Sequence, residues 1–246
     1  MHHQHLPTYV HAFLEYPEWL TTESEHYIFK YTKGSETEKD IQHIIQTQEN
    51  AFIKILNFLK VNAPTQKITY YFYPHAETKI KLMGDDWYAQ SIYTEFCVHV
   101  LYTSEHKPIG PHEDTHLLSL PWGLSWCFLQ EGLAEHMVGH SWDGSSHIDK
   151  VQEGIKKGMD LRPSTQLSDT DWLQTPDGGA EFYYALAGSW ATFLIETYGF
   201  DSFKKLYTHT NSNMTRDGIC SAYLIHIGTP IDVLEEEYFR LLSVQK

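Results

Sequence analysis

The chain has 246 residues, 41% hydrophobic and 20% charged. That is enough to bury the core of one domain or two packed halves, and no apolar run approaches the roughly 18 residues that read as a membrane span. Its 18 Lys and Arg against 32 Asp and Glu leave a formal net charge of −14, which a phosphate backbone would repel, so nucleic acid is set aside as a partner.

Four of the 16 histidines stand at the start, His2, His3, His5 and His11, better read as a tag remnant or a surface feature than as a weak metal-binding tail, and residues 1–25 read as an N-terminal extension. The segment 26–32 has strand composition. Ser35 with Glu38 then forms a capping-box signature, and Ile41, Ile45, Phe52, Leu56 and Leu59 recur at helical spacing until Pro64. A β-rich run at 67–73 ends at Pro74, a short helix closes near Gly84, and 91–103 offers one or two further strands. Beyond Thr103 the period becomes helical, with helices expected at 111–119, 122–140, 147–158, 179–198, 201–208 and 230–243 and a long loop at 159–178. Strands followed by helices predict an α+β fold: a single domain over 26–246, with an α+β lobe at 26–119 and a helical lobe at 120–246.

Three widely separated cysteines, Cys97, Cys127 and Cys220, form neither a disulfide framework nor a CxxC motif. With no charged segment followed by an apolar one at the start, a cytoplasmic setting is expected, a secreted or cell-envelope form staying open if a leader was removed.

Residues 112–116 spell HEDTH. On a helix, His112 and His116 lie one turn apart on one face, about 6 Å along the axis, so both imidazoles reach one zinc ion, and Glu113 projects beside it as a proton acceptor for water. Chance supplies roughly 0.08 such matches in a chain this rich in His, and the bland alternative is a solvated helix face. Zinc needs a third protein ligand. Glu131 follows on a separate predicted helix, and Glu135, one turn later, is placed to accept a hydrogen bond from the outer nitrogen of a ligand histidine. The bland reading of both is an exposed acidic stripe, against which Phe128, Leu129, Leu133 and Ala134 make the helix largely apolar. A second pair, His136 and His140, with Asp143 and His147 behind it, reads better as a polar helix end than as a further metal site.

HEDTH at 112–116, QEGLAEH at 130–136 and YALAGSWATFLIETYG at 184–199 together resemble the gluzincin metallopeptidases, in particular the stand-alone peptidase domains of the thermolysin-like superfamily. The resemblance extends over most of the chain from about residue 26. It implies a thermolysin-like zincin domain and hydrolysis of peptide bonds in peptide or protein substrates, by an endopeptidase in the first instance. It further implies His112, His116 and Glu131 as zinc ligands, Glu113 as general base, and Tyr184 as the tyrosine that stabilises the developing oxyanion. Tyr183 is adjacent, and only one of the two can face the site. The chain departs from the family in having Pro108 and Pro111 before the motif, which predicts a short helix starting at Pro111. It also lacks the GxMEN signature of aminopeptidases. A rival reading keeps zinc but not catalysis, as a pseudo-peptidase acting as an interaction module.

Overall fold

The computed structural model describes residues 13–14, 16–167 and 179–244; the histidines of the first eleven residues and most of the expected loop at 159–178 lie outside them. The described residues divide into two compact units, those up to residue 121 and those from residue 122 on.

The first unit is built on a five-stranded mixed sheet. Its elements are β1 (Leu20–Glu23), β2 (Tyr27–Tyr31), α1 (Glu36–Leu59), β3 (Ile68–Tyr73), α2 (Ala76–Met83), β4 (Ala89–Ile92), β5 (Cys97–Leu101) and α3 (Pro111–Leu118). The strand order is β1-β2-β3-β5-β4. The central pairs β2–β3 and β3–β5 are parallel, and the outer strands β1 and β4 run antiparallel to their neighbours. β2 alternates buried and half-buried residues, whereas every residue of β5 is buried, as expected of a strand covered on both faces. Tyr27, Phe29, Tyr70 and Phe72 stack on the face that meets Phe52 of α1. Tyr71, Tyr73 and His99 face the other way, against Phe13 and Trp19.

α1 starts where the capping signature places it, the Glu38 amide donating to Ser35 Oγ at 3.2 Å. Its buried stripe is Thr37, Ile44, Gln48, Ala51, Phe52, Ile55 and Leu59, displaced from the expected one: Ile41, Ile45 and Leu56 are only half-buried. The displacement comes from a polar residue, because Gln48 is fully buried at the centre of the stripe. β1 falls inside the expected extension, its LTTE sequence being too polar to register as a strand.

The second unit is helical: α4 (Cys127–Val138), α5 (His147–Lys156), a 3-10 turn at Pro163–Gln166, α6 (Ala180–Tyr198), α7 (Phe200–Thr208), α8 (Arg216–His226) and α9 (Ile231–Val244). The α+β class is therefore observed, with two differences from the expected helices. Residues 123–126 are not helical, because Gly123 sits at φ 89° and Trp126 is extended, so α4 begins at Cys127. α8 was not anticipated; Gly218 in its first turn and only three buried residues dilute the period, although Thr215 Oγ1 caps it by accepting from the Gly218 amide at 3.2 Å.

α6 is the core of this unit, buried continuously from Ala185 to Ala191. α4 and α6 meet through paired glycines. A Cβ on Gly132 would lie 2.6 Å from the Ala187 carbonyl oxygen, and one on Gly188 would lie 2.6 Å from the Glu135 Cβ. Trp122, Trp126 and Trp190 are buried, whereas Trp142 is 56% exposed. Among the described residues no helix is long and apolar enough to cross a membrane.

Candidate metal centre

α3 carries the HEDTH segment and is short, as Pro111 at its first position dictates. Gly110 precedes it at φ 114°, a conformation open to glycine at little cost. One side chain fixes that peptide: Gln48 Oε1 accepts from the Gly110 amide at 2.6 Å, and Gln48 Nε2 donates to the Gly110 carbonyl at 3.3 Å.

The same amide nitrogen reaches Asp114 Oδ2 at 3.0 Å. Asp114 is fully buried and also accepts from Tyr27 Oη at 2.6 Å and Tyr70 Oη at 2.7 Å. Burial pushes its carboxyl up to about 7, and the two tyrosine hydroxyls pull it back toward the charged form. Tyr27 and Tyr70 are themselves raised, by burial first and by the Asp114 charge second. This network ties α3 to α1, β2 and β3. Sequence reading missed Asp114, which sits in one of the unspecified positions of HExxH; an aspartate inside an otherwise apolar-facing turn, with strand tyrosines to meet it, was the available signal.

With α3 anchored, His112 and His116 present their rings with centroids 5.1 Å apart and planes at 77°. His116 is buried and His112 half-buried. Thr115 Oγ1 donates to the Pro111 carbonyl at 2.6 Å, closing the turn between them. Glu113 is half-buried, and Ser91 Oγ of β4 lies 2.6 Å from its Oε2 and 3.0 Å from its backbone carbonyl. The structure thus brings both histidines and the carboxylate between them onto one preorganised turn.

In the second unit, α4 carries Glu131, half-buried with its Oε2 sealed from solvent, and Glu135 one turn on, buried at 2% exposure. Glu135 Oε2 lies 2.9 Å from His147 Nε2 of α5. The sequence had grouped His147 with His136 and His140, but these side chains have separate partners. His136 Nδ1 meets Thr192 Oγ1 at 2.8 Å, and His140 Nδ1 meets the Ser141 carbonyl at 2.9 Å. Asp143 pairs with Lys150 at 2.5 Å, and that cation holds its carboxyl well below the usual range. Tyr183 and Tyr184 are both half-buried, and the Tyr184 ring packs 5.2 Å from exposed Trp142.

The chain matches no protein-family model and no curated protein.

Proposed function

We propose that the protein is a zinc-dependent metallopeptidase with a thermolysin-like catalytic domain, in which His112, His116 and Glu131 hold the metal. What carries the reading is the anchored turn of α3: two imidazoles one turn apart, with Glu113 between them oriented by Ser91. Two imidazole nitrogens and one carboxylate oxygen are a donor set that would suit zinc. Zinc, when bound, supplies the positive charge that acidifies water and polarises a carbonyl.

Glu113 would accept a proton from the attacking water and return it to the leaving amine. Tyr184 would donate to the oxygen that gains charge at the scissile carbonyl, its ring steadied by Trp142. Glu135 supports α4 through His147 rather than standing as an isolated acid. The substrate class is a peptide or protein, cut as by an endopeptidase.

Elemental analysis of the untagged protein, with and without His116→Ala and Glu131→Ala, tests the metal site. One zinc per chain, lost in both variants, is the expected result; wild-type protein that takes up no zinc after supplementation rules the reading out. Glu113→Gln should keep its zinc and lose at least about 100-fold in peptide hydrolysis. Full activity in that variant would remove Glu113 as the base.

A further inference from the structure

α2 turns a lysine inward and an isoleucine outward. Lys79 is completely buried together with Leu82 and Met83, while the neighbouring Ile80 is 48% exposed, the reverse of what polarity favours. Burial lowers the affinity of Lys79 for its proton, and the charge of Asp85 opposes that loss. Replacing a buried ion pair by apolar side chains of similar volume is often neutral or stabilising, so stability alone does not account for an ammonium here.

Its partner, Asp85, follows the end of α2 at Gly84. Lys79 Nζ and the Trp87 amide, the latter at 3.1 Å, donate to Asp85 Oδ1, and Gln90 Nε2 donates to Oδ2 at 3.2 Å. One carboxylate thus ties α2, the connection at 84–88 and the strand β4 together. Gln90 is a second buried polar group in an unfavourable setting: its Oε1 is sealed from solvent and meets no hydrogen-bond partner among the described residues. Two such side chains converging on Asp85 point to position, rather than stability, as what the cluster secures.

β4 has four residues and lies at the edge of the sheet, paired with β5 alone, so its backbone ladder holds it on one side only. Successive residues of a strand point to opposite faces. Gln90, level with His99 of β5, reaches Asp85 on one face. Ser91 reaches Glu113 of α3 on the other. A shift of Gln90 therefore carries Ser91 with it.

We infer that Lys79 is a positioning residue for Glu113: its ammonium fixes Asp85, Asp85 fixes Gln90, and β4 carries the constraint through the sheet to Ser91 and the Glu113 carboxylate. The catalytic meaning of this relay rests on the peptidase reading, and its geometry does not.

Lys79→Met keeps the length of the side chain and removes the charge. Gln90→Met removes the bond to Asp85 together with the unpartnered oxygen. Both variants should stay folded and still lose about tenfold in kcat on a fluorogenic peptide that the wild type cleaves, with KM and bound zinc unchanged. Neither should slow Ser91→Ala further, because the path runs through that hydroxyl, whereas a merely structural role would multiply the losses. A second readout needs no activity. In metal-stripped protein carrying carbon-13 at glutamate Cδ, the Glu113 signal is identified by its loss in Glu113→Gln. Lys79→Met and Gln90→Met should move that signal in the direction in which Ser91→Ala moves it, and should not move it further once Ser91 is alanine. If the wild type cleaves no peptide, the peptidase reading falls and the carboxylate signal alone decides the relay. The inference is overturned if neither substitution moves that signal, if either moves it equally in the Ser91→Ala background, or if the kcat losses multiply.

Discussion

The Ser91 hydroxyl sits 2.6 Å from one Glu113 carboxylate oxygen and 3.0 Å from that residue's own carbonyl oxygen, so a residue of the edge strand β4 fixes the side chain between the two candidate ligand histidines. Ser91→Ala frees Glu113 to sample other rotamers. With a hydrogen bond to a charged group at stake, the expected loss is about tenfold in kcat, or about 1.4 kcal/mol, with KM and bound zinc little changed. Ser91→Thr should restore most of the rate. Steady-state kinetics beside metal analysis checks this, and an unimpaired Ser91→Ala enzyme would detach Ser91 from the chemistry.

Asp114 accepts from three buried donors, Tyr27, Tyr70 and Gln48. Asp114→Ala leaves all three facing a void and should cost about 3–5 kcal/mol of stability in urea unfolding. Asp114→Asn keeps one acceptor oxygen and should cost less. Equal stability of the alanine variant and the wild type would show that the network does not anchor α3.

His99 is fully buried between Tyr73 Oη, 2.8 Å from Nδ1, and Cys97 Sγ, 3.4 Å from Nε2. Burial first and the Lys79 charge second hold it well below its ordinary value of 6.5. Below that value the unfolded chain takes up a proton that the folded one refuses. The contribution of this residue is therefore complete above pH 6.5 and is lost as the pH falls, by up to about 1.4 kcal/mol for each unit. The buried Asp114 carboxyl contributes in the opposite sense over the same interval, so the comparison is between proteins: from pH 6.5 to 5.5 the wild type should lose about 1 kcal/mol more unfolding free energy than His99→Gln. An equal change in the two proteins over this interval would show that the ring is already charged in the fold.

Gly188 leaves room for neither a methyl group nor a shift: a Cβ there would lie 2.6 Å from the Glu135 Cβ and 2.9 Å from His147 Cε1. The obstruction is the root of the Glu135 side chain and a packed ring, not a flexible tip. Gly188→Ala should destabilise the second unit by about 1–3 kcal/mol or more despite its better helix propensity, and calorimetry should show the lower Tm. An alanine variant as stable as the wild type would mean that α4 and α6 can separate without cost.

Much of this architecture was legible in sequence where a signal was local. Ser35 and Glu38 marked the start of α1 and Pro111 the start of α3, because caps and prolines act within a turn. The His112 and His116 pair was legible for the same reason. What stayed hidden was long-range. Gln48 is polar and carries no local sign of burial, and only its reach to Gly110, 62 residues on, shows why it is buried. His147 looked like part of a histidine cluster until its ring was seen against Glu135. β1 and α8 went unread because weak patterns, LTTE and a helix with Gly218 in its first turn, are held by their neighbours more than by their own composition.

The grip of Gln48 on Gly110 also makes α1 a measuring rod. Gln48 stands thirteen positions after the capping Ser35, and each added residue turns a helix by about 100°. One insertion between them, even of alanine in the exposed face, would swing the amide away from Gly110 while leaving HEDTH untouched. Length in that stretch is thus constrained as tightly as identity is in the motif itself, and tolerance to single-residue insertions should fall abruptly at Ser35 and recover only past Leu59, where the buried stripe of α1 ends.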